Sequence, residues 1–472
     1  MLFNSFAFLV FLPAFMLCYW ATSGRTRLWV MLVFSIGFYA WWDWRFVFLL
    51  LFSSVVDFSL GILLENEQGD AIRRRLIVLS VAVNLGFLGF FKYFNFFADS
   101  AARLSRSMGL HVTYDALKIV LPVGISFYVF KTMSYTIDVY RRTEKAERDL
   151  LKFTTFVVFF PELVAGPIVR ASRMLPQLQR DHAFDYERMV SGLTLVLSGY
   201  VRKVAIADSI APLVDIRFAH PEAHSSVSLL LGVYLYAFQI YCDFSGYSNI
   251  AIGLARILGF DFGINFDRPY FSRGFSEFWS RWHISLSSWL RDYLYIPLGG
   301  SRGGAWLTYR NLMLTMLLGG LWHGANWTFV AWGALHGLYL VAQRMMGGRV
   351  RLPAVVQVFV VFNLTCFAWI FFRSPSFDVA WQVISGIAHY HGSLLDIDNR
   401  WKILKCVVLI GGLLAFEWSG GLLARRNDRN GRRAESPPLH RNGWRLAFCA
   451  ACVWVILIFG TFSGLNFIYF QF

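Results

Sequence analysis

Long apolar runs recur through almost the whole chain, and this repetition limits the fold more than any other feature. A helix crossing a bilayer needs about 20 mostly apolar residues. Runs of this kind lie near 2–20, 27–42, 46–64, 76–98, 119–138, 153–169, 189–207, 227–258, 306–322, 326–346, 353–372, 402–424 and 445–464. Charged residues make up only 15% of the 472, against about 25% in a typical soluble protein. That is too few to coat a water-facing surface of this size. The expected fold class is an all-α polytopic membrane protein, with 1–472 as a single integral membrane domain. The crossing number implied by run length is about 11 to 13, with roughly 12 expected. The run 227–258 is too long for one straight crossing, and 153–169 ends in Ala165-Gly166-Pro167, which favours a break or a re-entrant turn. The first run, 2–20, has no basic leader and no small-residue cleavage site, so it reads as a spanning helix rather than a signal peptide.

The net charge of +15 sets orientation rather than nucleic-acid binding. The basic residues sit between apolar runs, and no basic domain stands apart from them. Arg25 and Arg27 follow the first run, Arg73, Arg74 and Arg75 the third, and Arg141, Arg142, Lys145, Arg148 and Lys152 the fifth. These alternate loops share a side, which the positive-inside rule makes the cytoplasm. The segment 425–443, basic and carrying Pro437-Pro438, is expected as a flexible loop on the same side. Both termini then fall outside the cytoplasm. The loop 170–188, with Arg170, Arg173 and Arg180, obeys this only if 153–169 is re-entrant. Six cysteines lie mostly within apolar runs and suggest no disulfide framework. Cys449 and Cys452 are neighbours on one face of the last run.

Two polar stretches interrupt the apolar pattern. Residues 265–304 interleave charges and aromatics. Within them 275–294 has helical period: Phe278, Trp282, Leu286, Trp289 and Tyr293 follow one course, and Glu277, Arg281, Ser285, Ser288 and Asp292 another. Such a helix either anchors at the membrane interface or lines an internal polar cavity. His283, flanked at i±4 by Trp279 and Ser287, favours the cavity. The second stretch, Gly319-Gly320-Leu321-Trp322-His323-Gly324-Ala325-Asn326-Trp327, joins two apolar runs. Ionisable residues at membrane depth are costly and face a cavity or a partner, so His323 and Asn326 are candidates. The alternative is a neutral structural histidine. His336 lies 13 residues further on, about 20 Å along a helix, and joins His323 only if the helix is broken.

Weaker signals lie elsewhere. Asp243, in a polar cluster inside 227–258, wants a partner, for which Arg256 or Arg281 is available. Ser245 lacks a nucleophile-elbow frame. His111 and Asp115 form an isolated H-x-x-x-D. His220 with His224, and His389 with His391, lack further ligands at zinc spacing, so no metal is expected. There is no phosphate loop and no dinucleotide glycine pattern, and Gly299–Gly304 offers only Arg302 as a phosphate contact.

Taken together, five strings carry a resemblance: LPVGISFYVFKTMSYTIDVYR at 121–141, FFPELVAGPIVR at 159–170, YCDFSGYSNIAIGLARILGF at 241–260, FWSRWHISLSSWLRDYLYIPLGG at 278–300 and RNLMLTMLLGGLWHGANWTFVAWGALHG at 310–337. With the ending FIYFQF at 467–472, the chain resembles the membrane-bound O-acyltransferase (MBOAT) family nearly end to end, in its bacterial branch that acetylates surface polysaccharides. The resemblance implies a ring of tilted helices around a thin central funnel, with re-entrant and interfacial helices. It places the family's catalytic histidine on His323 and its second characteristic polar residue on His283. The ending matches an extracytoplasmic aromatic motif, F-x-Y-x-x-F, on Phe467, Tyr469 and Phe472. The loop at 425–443 is shorter than in the alginate-acetylating relatives, which leaves alginate and cellulose both open as the polymer.

The same resemblance implies an exopolysaccharide O-acetyltransferase of the bacterial inner membrane, with no permanently bound cofactor. Cytosolic acetyl-CoA is the expected donor, and a periplasmic SGNH-type acetyltransferase and the polysaccharide synthesis and secretion proteins are expected partners. His323 would act as general base, and Asn326 or a backbone N–H would hold the oxyanion. His283 and Trp282 would line the donor channel with Trp322, Ser285, Asp292 and Asp243, while Arg281, Arg291 and Arg302 would meet phosphates. Tyr469 would accept the acetyl group and relay it. A transporter or a non-catalytic scaffold of a secretion complex is the alternative, although the halves show no repeat of the kind transporters carry.

Overall fold

The computed structural model describes residues 1–110, 116–163, 166–347, 352–393, 400–429, 442–462 and 467–468, the side chains of 421–429, 442 and 444 excepted. Among these residues every regular element is helical. Six helices are long and apolar enough to cross a membrane: Arg45–Asn66, Asp70–Ser107, Tyr186–Ala219, Ser226–Ile257, Ala354–Arg373 and Arg400–Gly420. Phe6–Trp20, Phe377–Ala388 and Arg445–Phe459 are apolar but shorter.

Several of the apolar runs take forms other than a straight spanning helix among the described residues. The run at 119–138 becomes Ile125–Tyr140, only 16 residues long and buried over nearly all its faces. Protein surrounds it, and its polar side chains Ser126, Lys131, Thr132, Ser134 and Thr136 are buried with its apolar ones. The run at 153–169 gives the helix Leu150–Val158, broken at Phe159, and the single turn Phe160–Leu163. The run at 227–258 does not break. Ser226–Ile257 is one helix of 32 residues, about 48 Å long at 1.5 Å per residue. Its length is accommodated by running through the core, where most of its side chains are buried. Helices enter the polar segment predicted over 425–443 from both ends. Helix Arg400–Arg429 continues through Arg425 and Arg426, and Asn442–Phe459 begins at its far end, because Leu, Ala and Arg are strong helix formers.

Small residues set the closest helix contacts. Gly192 and Gly199 on Tyr186–Tyr200 face Gly253 and Gly246 on Ser226–Ile257. A Cβ on Gly192 would meet the Gly253 carbonyl at 2.6 Å, and one on Gly199 the Gly246 carbonyl at 2.6 Å. Small residues seven apart on each helix thus bring two backbones together, as membrane helices commonly do. Gly320 and Gly333 do the same for the hairpin of Ala305–His323 and Trp327–Met346, where a Cβ on either would strike the opposing backbone.

The basic loops meet on one face. Arg25 pairs with Asp149 at 3.3 Å, Arg148 with Glu65 at 2.7 Å, and Gly24 N–H donates to Asp181. Arg445 pairs with Glu187 on the same side as Asp181. The alternate loops do share a side, and the 170–188 segment joins them there.

Candidate functional site

The single amphipathic helix predicted over 275–294 is instead two helices, Phe275–Arg281 and Ile284–Leu290, followed by the π-helical turn Arg291–Tyr295. Between them Trp282 is extended, and His283 sits in the left-handed region at φ +43°. For a residue with a Cβ that conformation costs about 1–2 kcal/mol, so something must hold it. Asn265 does. Its backbone carbonyl accepts from Ile284 N–H at 2.9 Å, and its Oδ1 accepts from Ser285 N–H at 3.1 Å and Ser285 Oγ at 2.9 Å. Its Nδ2 donates to Ser248 Oγ at 3.0 Å. Phe278, Trp282, Leu286 and Trp289 are nonetheless all buried, so the apolar course survives the break.

His323 is the last residue of Ala305–His323. The helix stops because Gly324 is extended and Asn326 caps the next helix, its Oδ1 accepting from Thr328 N–H at 3.1 Å. Its Nδ2 donates to the Pro375 carbonyl at 2.8 Å. Asn326 thus acts as a helix cap, with one of its two amide hydrogens taken by Pro375. The broken helix also brings His336 back towards the site. The rings of His323 and His336 both pack on Trp332, with centroids at 5.1 and 4.8 Å.

The two expected histidines come together, their ring centroids 6.5 Å apart with Trp322 wedged against both. Both are buried, His283 at 0% exposure and His323 at 3%. Phe244 and Phe127 flank His283, while Trp332 and Phe372 flank His323. Trp282 continues this wall to Trp369 at 5.1 Å and Phe278 at 5.7 Å. Among the described residues, Nε1 of Trp279, Trp282, Trp322 and Trp332, Nε2 of His283 and both ring nitrogens of His336 have no hydrogen-bond partner. Buried polar atoms are normally paired. Their concentration in one aromatic cluster leaves several polar atoms there that a ligand's polar groups would satisfy.

Other expected residues lie elsewhere. Arg281 is held by Glu277 at 2.6 Å. Arg291 and Arg170 both pair with Asp292, at 2.7 and 2.6 Å, beside the aromatic ring of Tyr293. Burial opposes ionisation of Asp292, but hydrogen bonds and charge from Arg291 and Arg170 outweigh it and hold the carboxyl below its usual range. Arg302 is exposed. Asp243 meets neither Arg256 nor Arg281. It pairs with Lys203 at 2.8 Å and accepts from Ile468 N–H at 2.8 Å. Asp243 faces the neighbouring helix, so a partner further along its own helix is out of reach. His111, Asp115, Tyr469 and Phe472 lie outside the described residues, whereas Phe467 is buried against Tyr247 and Phe244. Among the described residues, no group of three or more His, Cys, Asp or Glu side chains converges as metal ligands would.

Sequence reasoning missed three lysines. Lys92, in the π-helical turn Gly89–Tyr93, donates to the carbonyls of Trp322 and His323 at 2.7 and 3.0 Å. Tyr93 donates to Leu321 at 2.9 Å. A cation thus caps the helix end that carries His323, where the helix dipole is negative. Lys203, in the π-helical turn Val201–Ala207, bridges Asp208 and Asp243. Lys131 pairs with Glu162 at 2.6 Å inside the core. Two of these lysines and Asp292 sit on π-helical turns, which recur at functional sites. A cavity of about 510 Å³, mostly apolar, also reaches Asn265 and Phe266 behind His283, with Arg202, Arg256 and Arg445 in its lining.

Comparison with known proteins narrows the chemistry. Residues 141–372 match the model of MBOAT, the membrane-bound O-acyltransferase family. A protein of Azotobacter vinelandii described as a probable alginate O-acetylase is 39% identical over 100% of both chains. One of Pseudomonas aeruginosa with the same description is 45% identical, over 85% of this chain and 77% of its own. A peptidoglycan O-acetyltransferase of Helicobacter pylori is 33% identical, over 83% of this chain and 80% of its own.

Proposed function

The chain belongs to the membrane-bound O-acyltransferase family of multi-pass membrane acyltransferases, and from that premise we propose that it moves an acetyl group from cytosolic acetyl-CoA across the inner membrane for O-acetylation of an exopolysaccharide. The observation that carries the reading is the buried pair His283 and His323, 6.5 Å apart among indole N–H groups that lack partners among the described residues. A hydroxyl entering this aromatic cluster gives its proton to a ring nitrogen of His323 as its oxygen attacks the thioester carbonyl. The tetrahedral oxyanion forms beside the unpaired Nε1–H donors of Trp282 and Trp332, which suit its charge. The C–S bond then breaks, and the CoA thiolate leaves with the proton returned by His323. The products are an acetyl ester and free CoA.

The basic face formed by Arg25, Arg148, Arg170 and Arg445 supports placing the donor on the cytoplasmic side, with Arg291 and Arg302 as candidates for its phosphates. Both termini then lie outside the cytoplasm. The acceptor hydroxyl in this reading is the phenol of Tyr469. As an aryl ester it is a reactive donor, and it passes the acetyl group to the serine of a periplasmic SGNH-type acetyltransferase. Phe467 packs on Phe244, which touches His283 at 4.5 Å, so the chain enters the site two residues before that tyrosine. The descriptions of the relatives favour alginate over cellulose as the polymer.

The test is His323→Ala in membranes where the protein level is unchanged. Loss of a general base removes about 10²–10⁴-fold in rate, so polymer O-acetylation is expected to vanish. Unchanged O-acetyl content would leave the protein a scaffold. Incubation with labelled acetyl-CoA and peptide mapping checks Tyr469, and Tyr469→Phe with full acetylation would exclude the relay.

A further inference from the structure

The C-terminal segment is held by charges buried deep in the core. After the helix Asn442–Phe459, Thr461 N–H donates to the Val204 carbonyl at 3.0 Å, within the π-helical turn Val201–Ala207. Phe467 and Ile468 are then almost wholly buried, at 0% and 4% exposure. Ile468 N–H donates to Asp243 Oδ2, and Lys203 Nζ lies 2.8 Å from both Asp243 Oδ1 and Asp208 Oδ1. The side chains of these three ions are at most 4% exposed. A buried cluster of ions is a poor source of stability, since desolvation offsets most of the attraction. Its cost is understandable where one of its oxygens does something a hydrophobic residue cannot. Here that oxygen receives the backbone of the chain's own end.

We propose that Asp243, paired with Lys203 across the π-helical turn, is a socket that binds the C-terminal segment and fixes its register against His283. The backbone N–H of Ile468 is the latch, and the Phe467 ring, 4.5 Å from Tyr247 and 5.7 Å from Phe244, is the stop. Residue 469 then begins one Cα step, about 3.8 Å, beyond the latch. Asp243 and Lys203 are positioning residues: they act through the tail. The socket itself does not rest on the acyl-transfer reading; only its consequence for transfer does.

The experiment uses the full chain in membranes with Cys18→Ser, since Cys18 is exposed, and reads maleimide labelling of Ile468→Cys, which keeps the N–H. Labelling is expected to be slow. Adding Asp243→Ala is expected to speed it at least tenfold, whereas Asp243→Asn, whose amide oxygen still accepts, stays within about threefold. Equal labelling with and without Asp243→Ala overturns the socket. A second arm leaves the cluster intact. Ile468→Pro leaves the three ions in place but removes the N–H, together with the Ile side chain and the free φ of that residue, and is expected to lower acetyl transfer at least as much as Asp243→Ala does, with the double variant no worse than Ile468→Pro alone. Additive losses would mean that Asp243 acts on the fold alone, and the proposal falls. If the parent chain transfers no acetyl group, the acyl-transfer reading fails, while the labelling arm still decides the socket.

Discussion

Around Lys203 each buried charge meets an opposite one, whereas around His336 buried nitrogens meet only rings. Lys203 lies 2.8 Å from both Asp208 and Asp243, and nearby Arg202 pairs with Glu417 at 2.9 Å. His336 is enclosed by Phe278, Trp279, Trp332 and Tyr339, and neither of its nitrogens has a partner among the described residues. The difference follows from what each group costs when unpaired. A lone buried ion costs several kcal/mol or more and is not tolerated, while an unpaired neutral N–H costs about 1–3 kcal/mol. The first kind of region holds the architecture. The second keeps donors available for something that arrives, and it is where His283 and His323 meet.

The comparison breaks if the paired region tolerates losing one partner. Lys131→Met leaves Glu162 alone where both side chains are at most 5% exposed. Breaking such a pair costs about 3–5 kcal/mol, so the protein is expected to disappear from membranes. Lys131→Met with Glu162→Leu is expected to restore most of it, as immunoblotting will show. Equal loss in the single and double variants would refute the pairing argument. In the aromatic cluster the expectation reverses. His336→Phe replaces unpaired nitrogens by carbon in a similar shape, so stability is expected within about 1 kcal/mol of the parent. Acetyl transfer falls by roughly tenfold, a change of about 1.4 kcal/mol in the barrier. A variant that unfolds, or one that keeps full activity, would make His336 an ordinary core residue.

The two regions were unequally legible in the sequence. His323 and His283 stand out because ionisable residues among long apolar runs are conspicuous, and Trp282 and Trp322 lie beside them. The buried course Phe278, Trp282, Leu286, Trp289 is plain from its period. The break at His283 is hidden, because no Gly or Pro marks it and its cause, Asn265, lies 18 residues earlier. The paired region is hidden for a related reason. Lys131 looks like a single cation and Lys203 like half of an Arg202-Lys203 pair inside apolar runs, and their carboxylates lie on other helices. Nothing local predicts a π-helical turn, since the extra residue is accommodated by tertiary contacts such as those of Lys92 and Lys203. His336 joins His323 only because the helix breaks after His323 and the next one folds back, a condition the sequence states but does not decide.

Smaller effects sharpen the boundary between scaffold and site. Lys92 belongs to both, being a cation whose partners are the carbonyls of Trp322 and His323. A cation at a helix C-terminus contributes about 0.3–1 kcal/mol, up to ~2 when partly buried. Lys92→Met is therefore expected to lower kcat by roughly two- to tenfold with little change in KM, and Lys92→Arg to recover part of it. A change confined to KM would place Lys92 in donor binding instead.

The smallest effect belongs to the partly exposed cluster of Arg170, Asp292 and Arg291. The side chains of the Arg170–Asp292 pair are 27% and 21% exposed, so water and salt screen it and the pair is worth no more than about 1 kcal/mol. The sign of its pH dependence is nonetheless fixed. The Asp292 carboxyl is held below its usual range in the folded protein, against about 3.9 unfolded. Its contribution is thus complete above about pH 4 and fades as pH falls through the folded value. Asp292→Asn should lower the Tm of the detergent-solubilised protein slightly at pH 7, and the gap between the two proteins should close in acid. It should also narrow in about 1 M salt, where the screening length is near 3 Å. A gap that persists unchanged in acid would mean that Asp292 holds the turn Arg291–Tyr295 by shape rather than charge, which would move it from the screened surface into the same class as the buried pairs.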